Sequence, residues 1–274
     1  MRAQIVSRIL KTLRYSLHAA RKTVEGKQYP DRNAQFEYIK AKRASFIRTG
    51  RPMISVGTKK KELVGNFKNG DVNGGRKDSR SSQMCMTLPI KGSVRRSPTA
   101  CMMSEKNCGF VNVGVDHDTG AFSVASIEAW WIHVGSKQYP HARSVYVTAD
   151  AGGSNGYRLR LWKHELQRLA DKYRITFYVS HYPPGTIKWN KIEHMLFSSI
   201  SLNWRGVPLR TFDTILNLIS STKTDMGLVV KAQMDWHEYP LNTRITDAQM
   251  RDINIEHDEF HGEWNYAIRP RLKS

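Results

Sequence analysis

The sequence predicts an α/β protein built on a mixed five-stranded sheet flanked by helices. From residue 53 onward, runs rich in β-branched residues alternate with stretches of helical periodicity. Three strand-like runs come in succession before helix and strand begin to alternate, which places an antiparallel unit ahead of parallel crossovers. A third observation concerns what the sheet carries. Asp150 closes the apolar run 144–149, and Glu193 stands near the start of a helical stretch 43 residues further on. An acid at a strand end and another at a helix start can together hold a divalent metal.

Taken in order, residues 3–14 place Ile5, Ile9, Leu10 and Leu13 at helical spacing with Arg8, Lys11 and Arg14 on the other side. Two readings stand for this basic amphipathic helix: the groove-entering helix of a helix-turn-helix, or a solvated helix packed on the body. A turn-rich stretch with Gly26 and Pro30 follows, then a helix over 31–49 with Phe36, Ile39 and Phe46 as its apolar positions, ended by Gly50 and Pro52. Strands are expected at 53–56, 62–67 and 110–116. A helix at 122–134, a strand at 143–150, and a helix at 156–173 come next, the last with Leu159, Trp162, Leu166 and Leu169 on one face. A strand at 175–180 and helices at 190–204 and 212–221 complete the series. This is the element order of a ribonuclease-H-like domain, with strand order 3-2-1-4-5. Residues 68–107 show neither period, although they hold two of the three cysteines and four of the ten methionines, and are expected to form an unstructured loop. The expected organisation is a basic helical segment at 1–50, a catalytic core at 51–222 and an extension at 223–274 that packs on the core.

The 274 residues suffice to bury a core, and Lys+Arg 43 against Asp+Glu 24 gives a net charge of +19. The excess is uneven: residues 1–61 hold 16 Lys/Arg and 3 Asp/Glu. Nucleic acid is the partner this implies, because each neutralised phosphate releases condensed counterions; a membrane surface or ribosomal environment is the competing reading. No apolar run reaches the roughly 18 residues of a membrane span, and the N-terminus lacks the apolar stretch of a secretory signal, so a cytoplasmic, nucleoid-associated protein is expected. Cys85, Cys101 and Cys108 have neither disulfide-framework nor zinc spacing.

Six segments carry a resemblance: Ile54-Ser-Val-Gly-Thr-Lys-Lys-Lys-Glu-Leu-Val-Gly65, Val115-Asp-His-Asp-Thr119, Thr148-Ala-Asp-Ala-Gly-Gly-Ser-Asn-Gly156, Pro184-Gly-Thr-Ile-Lys-Trp-Asn-Lys-Ile-Glu-His194, Asn203-Trp-Arg-Gly206 and His261-Gly-Glu-Trp-Asn-Tyr266. In that order, over nearly the whole chain, they resemble the ISAzo13-type insertion-sequence transposases, a DDE group distantly similar to IS630 and Tc1/mariner elements. The resemblance implies a ribonuclease-H-like core that cuts and joins element ends using Mg²⁺, in a two-metal site held by three acids. It implies that Asp150 is the second catalytic Asp and Glu193 the catalytic Glu. The first Asp should follow Ile54-Ser-Val56, where this chain has Gly57. Asp116 and Asp118 are conceivable substitutes, but a third strand lies two spacings from the first, about 9–10 Å, too far for direct replacement. An inactive copy is therefore expected.

The resemblance also implies a helix-turn-helix of which only 3–14 remains, hence a truncated chain with lost end recognition. Cys85 to Met103, back-translated and read in the alternative frame, can yield a peptide similar to the family's, which implies compensating frameshifts near residues 78 and 105. Lys59, Lys60 and Lys61, with Lys188 and Lys191, are candidate phosphate contacts, the alternative for the first three being a solvated hairpin. Trp130, Trp131, Trp162 and Trp204 are expected in the core or at an interface, base-stacking being the alternative. His181 and His194 flank the acid pair, where a structural hydrogen bond is the expectation and proton transfer the alternative. The functions in view are DNA strand cleavage and transfer, a non-catalytic DNA-binding remnant that could pair or compete with an intact transposase copy, or a decayed gene product.

Overall fold

A computed structural model describes residues 30–59, 62–63, 95–96, 98–186, 190–205, 207, 209 and 211–272. The predicted helix at 3–14 lies outside them, as does nearly all of 68–97.

Helix α1 (Arg32–Arg48) buries Gln35, Ile39 and Phe46 and ends at Gly50, whose φ of 62° suits a residue without a side chain. Gln35, not the predicted Phe36, is its buried anchor near the start. Its amide donates to the His181 carbonyl and to Asn265 Oδ1, both at 2.9 Å, tying the helix to two strands. Strand β1 (Met53–Thr58) follows. Strands β2 (Glu62–Leu63) and β3 (Arg95–Arg96) pair only with each other, in a separate two-stranded sheet.

The place beside β1 belongs instead to β4 (Pro98–Met103), which corrects two expectations: the second strand of the main sheet is not 62–67, and 98–103 is not loop. Every residue of β4 is buried. Cys101 and Met103 enter one core while Ala100 and Met102 enter the other. A strand covered on both faces shows no alternation of polar and apolar residues, so periodicity could not reveal it.

A turn of 3₁₀ helix leads to β5 (Cys108–Gly114), and Thr119 caps α2 (Gly120–Trp130) by accepting from the Phe122 N–H at 3.2 Å. Then come β6 (Ser144–Ala149), α3 (Arg160–Tyr173) and β7 (Thr176–His181). Leu159, predicted on the buried face of α3, precedes the helix and is 38% exposed. A π-helical turn, Glu193–Phe197, runs into α4 (Ser198–Asn203), and α5 (Phe212–Ser220) follows. Strand β8 (Val229–Asp235), the short α6 (Asp247–Arg251), β9 (Ile255–His257) and β10 (Asn265–Ile268) complete the order.

The main sheet has eight strands in the order β8-β5-β4-β1-β6-β7-β10-β9. Its centre, β5-β4-β1-β6-β7, is the predicted 3-2-1-4-5 arrangement, antiparallel among the first three and parallel from β1 to β6 to β7. The expected count of five is short by three. The segment after 222 does more than pack on the core: β8 runs parallel to β5 at one side, while β10 runs antiparallel to β7 at the other. Helices α2 and α3 cover one face through Ile127, Trp130, Trp162 and Leu166, and the helical stretch after Asn190 covers the other through Ile192, Leu196, Phe197 and Ile200. Trp130, Trp131, Trp162 and Trp204 are buried, as the sequence predicts.

Candidate active site

Strand register assembles the site. On the ladder between β1 and β6, Met53 faces Tyr146 and Ser55 faces Thr148, the latter two joined by a 2.9 Å hydroxyl contact. Side chains alternate along a strand, so the next rung on the same face sets Gly57 beside Asp150. Asp150 follows the last residue of β6, and Glu193 opens the π-helical turn above that face. π-helical turns often accompany functional positions, because the inserted residue re-aims the side chains around it.

Burial raises the Asp150 carboxyl to about 6, opposed by a hydrogen bond from Asn190. Burial also raises Glu193 to about 6; the negative charge of Asp150 adds to the rise, while Lys59 and His194 oppose it. Two carboxylates that feel each other in a half-buried setting hold their protons up to near neutrality unless a cation joins them. The two predicted acids are therefore brought together.

At the position where the resemblance places a first acid stands Gly57. A Cβ built at Gly57 would lie 2.8 Å from Ile192 Cγ2, 3.4 Å from Phe197 Cε2 and 3.7 Å from Asn190 Nδ2, so apolar side chains occupy the room a first acid would need. Asp116 accepts from the Tyr239 N–H at 2.6 Å and pairs with His117. Asp118 comes nearer to β1 than strand spacing suggests, because it lies past the end of β5: Thr58 Oγ1 is 3.4 Å from its Oδ1. Thr58 points to the opposite face from Gly57, so this approach does not bring Asp118 into the acid pair. Among the described residues no three His, Cys, Asp or Glu side chains are grouped to hold a metal ion. The donor set fits one divalent cation on two carboxylates, not the two-metal arrangement that three acids support.

His181 is fully buried. Its Nδ1 lies 2.9 Å from the Asp150 carbonyl oxygen and its Nε2 3.0 Å from the Tyr266 hydroxyl, which accepts from Trp162 Nε1 at 2.9 Å. A carbonyl can only accept, so Nδ1 carries the proton and the Tyr266 hydroxyl donates to Nε2. Burial lowers the His181 pKa to about 4, which keeps the ring neutral in this role. The structural reading of His181 is the one its contacts favour. His194 is exposed.

Lys59 is not on a solvated hairpin. Its side chain is buried, with Nζ 4.6 Å from the Trp204 ring centroid, and its positive charge bears on Glu193. Lys191 is exposed. Arg8, Lys11, Arg14, Lys60, Lys61 and Lys188 fall outside the described residues. Beside Asp150 opens a cleft of about 440 Å³ walled by Gly152, Gly153, Tyr157, Arg158 and Tyr182. Sequence reasoning missed this cleft and also Asn190, which stands three positions before Glu193 in a segment where Lys188, Lys191, Glu193 and His194 drew attention instead.

A central sheet of order β5-β4-β1-β6-β7, with one acid past the end of β6 and another on the helical stretch after β7, defines a catalytic domain of the DDE transposase class. A family model described as the Rhodopirellula transposase DDE domain matches residues 1–270, and the chain belongs to that family. This upholds the ISAzo13-type resemblance carried by the motifs; the family uses divalent metal. No curated protein matches the chain. Among solved structures, the chain is similar to the Mos1 transposase paired-end complex with left transposon end, at 11% identity and TM-score 0.44, and to the Mos1 mariner paired end complex with Mn, at 12% and 0.42. Each likeness covers 77% of this chain and 60% of the other, so the chain spans less than two thirds of the length of those transposases. No described helix is long and apolar enough to cross a membrane.

Proposed function

We propose that this chain is a transposase-derived DNA-binding protein that does not cleave or join DNA. The observation that carries the reading is Gly57, two residues past the Ser55–Thr148 rung and so on the face that Asp150 continues, where an added Cβ would lie 2.8 Å from Ile192 Cγ2. Asp150 and Glu193 would hold a single divalent cation, Mg²⁺ or Mn²⁺. When two such ions are bound in a site of this class, they activate the attacking oxygen and stabilise the leaving one. With one acid gone, the residues here orient and neutralise but do not complete that pair. Removing one member of a catalytic set commonly costs several orders of magnitude in rate. The net charge of +19 supports a DNA partner held mainly through phosphates. A second copy of the chain or an intact transposase is the protein partner this role would need.

The test is a nicking and strand-transfer assay on element-end DNA, with Mg²⁺ or Mn²⁺ against EDTA. The expected result is a metal-independent mobility shift with no product above the EDTA background. Metal-dependent nicking would overturn the non-catalytic reading.

A further inference from the structure

Asn190 is fully buried, and its side chain touches all three elements that meet at the site. Its Nδ2 donates to the Val56 carbonyl of β1 at 3.3 Å and to Asp150 Oδ1, past the end of β6, at 3.1 Å. Its Oδ1 accepts from the Ile192 N–H at 3.4 Å, at the start of the helical stretch that bears Glu193. The orientation of the amide is dictated: the Val56 oxygen can only accept, so the nitrogen must face it, and the second amide hydrogen is left for Asp150.

We propose that Asn190 is a positioning residue for cation binding, which engages Oδ1 of Asp150 and leaves Oδ2 to share a divalent cation with Glu193. In so doing Asn190 supplies, from the helical side, the link between β1 and β6 at the rung where Gly57 offers no side chain. The inference rests on the reading that Asp150 and Glu193 hold one cation. Outer partners of this kind fix the angle of a ligating carboxylate, and their loss typically weakens metal binding by about 10–100-fold.

The fold contains its own control. Asn155, also buried, donates its Nδ2 to the same Val56 carbonyl at 3.3 Å and makes no described contact with the Asp150 carboxylate. Asn155→Ala therefore removes an equivalent clamp on β1 without touching the site. The experiment titrates Mn²⁺ into the full chain and follows the free-ion electron paramagnetic resonance signal, with melting temperatures recorded for every variant. The expected result is one Mn²⁺ per chain in the wild type, affinity weakened about tenfold or more in Asn190→Ala, and affinity within about twofold of wild type in Asn155→Ala. Asn190→Ser, which is too short to reach Asp150, serves as a second variant should the alanine fail to fold, and should match the alanine's loss. Unchanged Mn²⁺ affinity in the Asn190 variants, or an equal loss in Asn155→Ala, overturns the positioning role while leaving the acid pair standing. No Mn²⁺ binding by the wild type overturns the acid-pair reading itself, and this inference with it.

Discussion

Replacing Gly57 with Asp tests the register argument directly, because the same substitution meets a steric cost and an electrostatic one that separate by pH and by metal. A Cβ at 57 would lie 2.8 Å from Ile192 Cγ2, closer than side chains pack, so Ile192 must shift; overpacking of this kind costs about 1–3 kcal/mol. A carboxylate there would face Asp150 across one strand spacing, about 5 Å. At an effective dielectric near 20, two ionised groups at that distance repel by about 3 kcal/mol. Gly57→Ala carries the first cost alone. Gly57→Asp is expected to match Gly57→Ala at pH 5, where the acids share protons, and to fall about 2–3 kcal/mol below it at pH 8 in EDTA. Millimolar Mn²⁺ should recover most of that gap, since a cation neutralises the added charge, while strand cleavage stays at background. Urea denaturation of the three proteins under the four conditions measures each term. Ile192→Ala removes Cγ2, which Ile192→Val does not, so the alanine should relieve the steric part alone in a double-mutant cycle. If Gly57→Asp and Gly57→Ala respond identically to pH and to Mn²⁺, position 57 does not face Asp150 and the reasoning fails.

Further expectations follow from single side chains. Asp150→Asn should raise stability at pH 8 by up to about 3 kcal/mol: burial lifts the folded pKa to about 6 from an ordinary value near 4, so wild-type stability present below pH 4 is lost as pH rises through 6. An asparagine that is no more stable than wild type at pH 8 would refute this. His181→Phe keeps a flat ring, slightly larger, but removes the donor to the Asp150 carbonyl and the acceptor of the Tyr266 O–H, and should cost about 2–4 kcal/mol in urea melts, with little dependence on pH between 6 and 8 because His181 is already neutral there. Lys59→Gln should lower the melting temperature more than it lowers DNA affinity, since its ammonium lies over Trp204; charge reversal at Lys60 and Lys61 should do the opposite and flatten the salt dependence in mobility-shift titrations. The frame-shift reading of 85–103 predicts codons that give the family-like peptide in the alternative frame, which sequencing of the gene decides.

The placement of Asp150 past a strand and of Glu193 on a helical stretch could be read from the sequence because each stands at a boundary between two patterns. Asp150 ends an apolar run and Glu193 starts a helical period, and boundaries are where a linear pattern and a three-dimensional site coincide. Strand β4 could not be read in the same way. Its Pro98-Thr-Ala-Cys-Met-Met103 is buried on both faces, so it carries no alternation and follows a stretch with no periodicity at all. Strands β8 and β10 escaped for a different reason: they join neighbours 121 and 87 positions away, as in Gln233 with Asn112 and Tyr266 with Val179, and no local pattern encodes such pairings.

The missing acid shows the same limit at the scale of one site. Gly57 is visible as an absence in the sequence, yet what fills the absence is not, because Ile192 and Asn190 arrive from a segment more than 130 positions later. Once the fold brings them in, the loss of a carboxylate is no longer a vacancy that one substitution refills. Ile192 packs where the side chain would go, and Asn190 uses both amide hydrogens to hold β1 to Asp150. Asp150 remains a half-buried acid whose pKa burial raises to about 6, with one oxygen engaged by Asn190 and its carbonyl fixed by His181. An acid so held can still favour a cation, since a cation relieves the cost of its burial, while on the proposed reading the first acid's place is held by Gly57, packed against Ile192. Cation affinity and catalysis, coupled in a complete three-acid site, are for that reason expected to separate in this chain.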